Sequence, residues 1–112
     1  MKNYKLILQY DGTRYSGWQK QGNTDNTIQA KLETIASKLT GVPTDVNGSG
    51  RTDAGVHAFG QVANFRCEES TLPPKFLRSE ETVTDLIRDY FNNALPMDVR
   101  VLSVSEAPAR FH

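Results

Sequence analysis

An arginine and an aspartate stand two residues apart in a glycine-rich segment of this 112-residue sequence. The segment runs Gly48-Ser49-Gly50-Arg51-Thr52-Asp53-Ala54-Gly55-Val56-His57. In extended backbone, side chains two residues apart point the same way, so Arg51 and Asp53 can form a charge-assisted pair. A carboxylate held by an arginine stays ionised at neutral pH, which is the state that a nucleophile needs. Asp53 is therefore the candidate nucleophile.

The segment does not fit the common phosphate-binding loops. It lacks the Lys before Ser or Thr of a P-loop, and Asp53 occupies the place of the third glycine in a dinucleotide fingerprint. A plain glycine-rich turn capped by Asp53 is the alternative. A site is favoured because the glycines let a ligand approach the backbone and because flanking strands would hold the segment rigidly. His57 could form an acid–base pair with Asp53, but its place at the start of a strand favours a structural role.

Phosphate contacts are expected in the first half of the chain. Residues 1–60 hold seven Lys and Arg against five Asp and Glu, whereas residues 61–112 hold six against eight. An anionic partner would therefore favour the first half. The candidate phosphate contacts are Arg14, Lys20 and Arg51.

Hydrophobic periodicity predicts the elements that would hold the glycine-rich segment. Apolar residues alternate along residues 4–10 and 57–67 as in strands, and they recur at helical spacing along residues 27–40 and 83–94. The predicted order is strand 4–10, helix 27–40, strand 42–47, strand 57–67, helix 83–94 and strand 99–104. The glycine-rich segment then joins two strands of one sheet.

This order is that of an α+β, ferredoxin-like βαββαβ fold, a four-stranded antiparallel sheet with two helices on one face. One domain is expected over residues 1–112, with the other face of the sheet open. Asn26 is expected to cap the first helix, with Gln29 reaching back to it, and Gly41 is expected to end that helix. Residues 68–79, acidic and then proline-bearing, are expected to form an exposed loop.

Composition limits the classes of function. The thirteen Lys and Arg balance thirteen Asp and Glu, so a domain-wide basic excess typical of nucleic-acid binders is absent. No apolar run approaches a membrane span and no leader is recognised, so the cytosol is the expected location and no membrane partner is expected. The single cysteine, Cys67, excludes an internal disulfide and a multi-cysteine zinc site, and it is interpreted as a buried small hydrophobic residue.

Two other functions fit parts of the sequence. Phe59 and Phe65 on the third predicted strand loosely resemble the aromatic stripe of an RNA-recognition sheet, which suggests a non-catalytic RNA-binding module. Their alternation also fits core aromatics of a central strand. A ferredoxin-like ligand-sensing domain has only the architecture in its favour.

Four motifs resemble the tRNA pseudouridine synthase A (TruA) family. The most specific is Gly50-Arg51-Thr52-Asp53-Ala54-Gly55-Val56-His57-Ala58, which resembles the family signature. The others are Tyr10-Asp11-Gly12 with Tyr15-Ser16-Gly17-Trp18-Gln19, then Thr27-Ile28-Gln29, then the final Phe111-His112. The resemblance extends over the whole chain.

This resemblance implies isomerisation of uridine to pseudouridine in the tRNA anticodon stem-loop, without cofactor or metal. It implies that Asp53 is the nucleophile and that Arg51 pairs with it and helps to displace the base. The sequence leaves open whether Asp53 attacks the ribose or the base. Chemistry on the base requires a flipped nucleotide.

Length is where this sequence departs from the family, whose members have two similar domains around the active-site cleft and are usually dimeric. The sequence stops inside the family's Phe-His-Ala-Arg motif, at His112. It is therefore expected to be an N-terminal domain or fragment that lacks the C-terminal half. Such a fragment should carry the nucleophile and have little or no activity alone.

Overall fold

Four strands form one antiparallel sheet, in which the order across the sheet is the second, third, first and fourth strand of the chain. The computed structural model describes residues 1–14, 27–48 and 58–108. The strands are β1 (Lys2–Tyr10), β2 (Val46–Gly48), β3 (Ala58–Cys67) and β4 (Val99–Ala107), and the helices are α1 (Ile28–Thr40), α2 (Pro74–Arg78) and α3 (Val83–Ala94). This element order and the antiparallel pairing confirm the predicted α+β fold.

The core lies between the sheet and the two long helices. Alternate residues of β1, from Tyr4 to Tyr10, share one buried cluster with the apolar faces of α1 and α3, so both helices cover the same face of the sheet. Phe65 of β3 is fully buried in this cluster, between a ring of β1 and a ring of α3. Its ring centroid is 5.6 Å from that of Tyr4 and 5.8 Å from that of Phe91 on α3. Such aromatic pairs add to the stabilisation that burial alone provides.

The N-cap of helix α1 lies one residue later than the N-cap expected from the sequence. Its N-cap is Thr27, whose hydroxyl accepts a hydrogen bond from the N–H of Ala30 at 3.2 Å. The expected cap, Asn26, and with it the expected contact from Gln29 back to Asn26, lie outside the described residues, and the Gln29 amide donates to β2. The helix ends at Gly41, as predicted, with the left-handed φ of 77° that glycine adopts without strain.

The prediction of an exposed loop over residues 68–79 is wrong in part. Pro74 begins α2, where its fixed φ favours a first helical turn. Leu72 and Phe76 of this segment are buried, and the Phe76 ring meets Tyr90 of α3 edge-on at 6.4 Å. The segment therefore extends the core across α3.

Strands β2 and β4 differ most from their predicted boundaries. Strand β2 begins at Val46 because the chain after α1 first turns back onto the helix end, where the N–H of Thr44 donates to the Ser37 hydroxyl at 3.0 Å. Strand β4 continues to Ala107, paired with Asn3 of β1. None of the helices in the described ranges is long and apolar enough to cross a membrane.

Candidate active site

The strands that flank the glycine-rich segment are neighbours in the sheet. Strand β2 ends at Gly48, opposite Ala63, and β3 begins at Ala58, so five residues of β3 extend beyond the end of β2. The segment itself, with Arg51, Asp53 and His57, lies outside the described residues, as does Lys20. The structure thus describes the supports of the candidate site and how they are held.

The sheet brings two of the sequence motifs together at one end of its central strands. Tyr10, the last residue of β1, pairs with Ala58 on one side and with Val99 on the other. The turn after β1 therefore lies beside the point where the chain returns from the glycine-rich segment into β3. These residues are 48 positions apart in the sequence, and only the antiparallel pairing brings them together.

The turn after β1 is fixed by one aspartate. The Oδ1 atom of Asp11 accepts hydrogen bonds from the N–H of Thr13 at 3.0 Å and from its hydroxyl at 2.6 Å. The N–H of Asp11 donates to the carbonyl oxygen of Asp98 at 2.9 Å, which ties the turn to the start of β4. A short 3₁₀ helix, Gly12–Arg14, follows. The backbone of Arg14, a candidate phosphate contact, is thereby held close to this end of the central strands.

A β-bulge lies close to the start of β3. Leu8 pairs with Gln61 and the next residue, Gln9, pairs with Phe59, so Gly60 is the extra residue. Its φ is +108°, a conformation that residues with a side chain rarely adopt. Bulges bend a strand and re-aim its neighbours, and they are common beside functional sites. Here the bulge comes just after the candidate segment.

Two side chains of α1 hold β2, the strand from which the segment departs. Gln29 donates from Nε2 to the carbonyl oxygen of Val46 at 2.9 Å. Glu33 accepts at Oε2 from the N–H of the same residue at 3.0 Å. The contact between Gln29 and Val46 is not predicted from the sequence, in which the position of Gln29 fits a helix cap. The only local signal was two polar residues four positions apart on α1, which share a helix face.

Among the described residues, Lys2, Tyr4 and Cys67 have shifted pKa values, and they lie at the ends of β1 and β3 opposite to Tyr10 and Ala58. Burial raises the pKa of Tyr4 to about 12 and also raises the pKa of the Cys67 thiol. A hydrogen bond to Glu106 raises the pKa of Lys2, which pairs with Cys67 at the other end of β1 from Tyr10. The prediction that Cys67 is buried is confirmed. These shifts reflect packing and a surface ion pair at the end of the sheet opposite to Ala58, the first residue of β3.

Neither metal chemistry nor a stacking surface gains support from the described residues. Within the described ranges no three His, Cys, Asp or Glu side chains group as metal ligands would. Phe65, one of the two aromatics considered for RNA stacking, is fully buried under α3 and is a core residue. The backbone of Phe59 pairs with Gln9 across the bulge, and its side chain lies outside the described part of the chain.

Comparison with known proteins links this arrangement to one family. Residues 6–112 match the sequence model of a family described as tRNA pseudouridine synthase. The tRNA pseudouridine synthase A of Bacillus sp. (strain KSM-64) is 49% identical over all 112 residues, and that of Clostridium kluyveri is 45% identical over the same length. The tRNA pseudouridine synthase A 1 of Clostridium tetani is 63% identical over 65 residues, which is 58% of this chain and 26% of that protein. The chain spans 41% of the length of the first two relatives.

Proposed function

Because this chain belongs to the tRNA pseudouridine synthase family, we propose that it forms the aspartate-bearing domain of an enzyme that isomerises uridine to pseudouridine in tRNA. The family match over residues 6–112 is the observation that carries the proposal. The match includes the glycine-rich segment with Arg51 and Asp53. The domain spans 1–112, and the remaining length of the relatives corresponds to the partner half of the active-site cleft.

The reaction needs a nucleophile and a base that can leave and return. The C1′–N1 bond of uridine breaks, the C1′–C5 bond forms, the proton on C5 passes to solvent and N1 takes up a proton. Atoms and electrons balance without an external oxidant or reductant. The ionised carboxylate of Asp53 supplies the attacking electron pair, to C1′ or to the ring. Arg51 keeps that carboxylate ionised and helps to displace the base.

The substrate is proposed to be the anticodon stem-loop of tRNA. A uridine must leave the stack before its glycosidic bond can be reached. Arg14, Lys20 and Arg51 are proposed to hold the phosphates beside the flipped nucleotide. The backbone of Arg14 lies just beyond the end of β1, beside the residue where β3 begins, and this position supports the assignment for Arg14.

The proposal is tested with residues 1–112 joined to the remaining length of the Bacillus sp. relative. Tritium release from tRNA labelled at C5 of uridine measures turnover, and primer extension after carbodiimide treatment locates the pseudouridines. We expect modification of the anticodon stem-loop, and its loss in Asp53→Ala. The matched control is Asp45→Ala, an exposed aspartate just before β2, with unchanged turnover. Full turnover in Asp53→Ala would remove the nucleophile assignment.

A further inference from the structure

Both edge strands of the sheet are bonded to helix side chains through a single valine. On β2, Val46 bonds through its N–H to Glu33 and through its carbonyl to Gln29, both on α1. On β4, the N–H of Val101 donates to Oδ1 of Asn92 at 2.8 Å, and its carbonyl accepts from Nδ2 of Asn92 at 3.0 Å. In each case a helix satisfies the backbone groups that face away from the sheet.

The contact on β2 has a different consequence from the contact on β4. Strand β2 has only three residues, and it leads through Gly48 into the segment that bears Asp53. Residues of an antiparallel strand alternate in the direction of their backbone N–H and carbonyl groups, so the outward groups of Val46 form no hydrogen bonds with β3. The α1 side chains are what hold this residue from the outer side. Strand β4 has nine residues, and it is not joined to the segment by sequence.

We propose that Gln29 and Glu33 are positioning residues for the glycine-rich segment, fixing through Val46 the strand end from which Asp53 is presented. This inference rests on the proposed function. A small displacement of a catalytic group has a large effect on rate, because the reacting atoms must be held in a near-attack geometry. Loss of the hydrogen bonds from Gln29 and Glu33 to Val46 therefore lowers the rate of the chemical step more than the affinity for tRNA.

The experiment compares two near-isosteric changes in the same hybrid enzyme. Gln29→Glu removes the donor to the Val46 carbonyl, and Asn92→Asp removes the donor to the Val101 carbonyl. Both variants should lose a similar few degrees of melting temperature, since each leaves one part-buried carbonyl without its amide partner. Only Gln29→Glu should lower kcat, by roughly 10- to 100-fold. Its KM for tRNA should stay within about threefold of wild type.

Glu33 offers a rescue test. Glu33→Gln keeps an acceptor for the N–H of Val46 and should retain kcat within about threefold. Glu33→Leu removes the acceptor, and it should lower kcat and speed hydrogen exchange of the Val46 amide. A merely structural role would not separate these variants from Asn92→Asp in kcat.

Three outcomes would overturn the inference. They are wild-type kcat in Gln29→Glu, an equal fall of kcat in Asn92→Asp, and an equal fall of kcat in Glu33→Gln and Glu33→Leu. Failure of the proposed function is separate, because it would appear as an inactive wild-type hybrid or as full turnover in Asp53→Ala. An inactive wild-type hybrid would contradict both proposals. An active wild-type hybrid with an unaffected Gln29→Glu variant would contradict only the positioning role of Gln29 and Glu33.

Discussion

Asn64 donates a hydrogen bond from Nδ2 to Oδ1 of Asn3 at 3.0 Å, and both side chains are almost completely buried. They lie on β3 and β1, on the sheet face opposite the helices. Asn3 in turn donates from Nδ2 to the carbonyl oxygen of Pro108 at 2.9 Å. These amides therefore link β3, β1 and the residue that follows β4, on the face that was expected to be open.

Asn64→Asp should destabilise the chain because it replaces the donor by an oxygen that faces the Asn3 oxygen. We expect a loss of about 1–3 kcal/mol in the free energy of unfolding at neutral pH, measured by urea titration. The loss should shrink in acid, where the new carboxyl group is protonated and can donate. Asn93→Asp, at an exposed position of α3, is the control. Equal stability of the two variants at neutral pH would show that the buried pair contributes nothing.

Thr27 and Asn26 can be distinguished as caps of α1 by mutation. Thr27→Val keeps the shape of the side chain but removes the oxygen that accepts from the N–H of Ala30. It should cost about 1 kcal/mol of unfolding free energy. Asn26→Ala should cost less, because the described cap is its neighbour. A larger loss for Asn26→Ala in thermal or urea unfolding would favour the cap expected from the sequence.

Local patterns predicted the fold well because each is set by neighbouring residues. The alternation of β1 predicted which residues, from Tyr4 to Tyr10, face the core. The alternation of β3 placed Phe65 and Cys67 on the same buried face. The end of α1 followed from Gly41, since a left-handed C-cap requires a residue such as glycine.

Contacts between distant residues could not be predicted in this way. Gln29 bonds to Val46, 17 positions away, and nothing in its local sequence distinguishes that contact from a helix cap. Leu72 and Phe76 are apolar residues in a mostly polar segment, and their burial depends on distant contacts such as that of the Phe76 ring with Tyr90 of α3. For the candidate site, the sequence predicts the chemical groups. The pairing of Tyr10 with Ala58 shows that the end of β1 and the start of β3, which flank two of the sequence motifs, lie side by side.

The glycine in the β3 bulge should tolerate substitution less well than the glycine that ends α1. Gly60 has φ +108° and Gly41 has φ +77°, and a Cβ at either position would meet no atom within 4 Å. Any difference therefore comes from the backbone. Asparagine adopts the left-handed helical conformation of Gly41 readily, so Gly41→Asn should cost little. Gly60→Asn should cost about 1–3 kcal/mol in urea unfolding. Equal costs would contradict the bulge conformation.

The chain should lose stability in alkali through Tyr4. Burial raises its pKa from 10.0 to about 12, so the folded state keeps the phenol proton between these values while the unfolded state loses it. The contribution is complete below pH 10 and falls by about 1.4 kcal/mol per pH unit as pH rises towards the folded pKa. Urea titrations across this range should show a shallower pH dependence for Tyr4→Phe. Tyr90→Phe, at a half-buried tyrosine of α3, controls for the loss of one hydroxyl. An unchanged slope in Tyr4→Phe would assign the alkaline loss to another group.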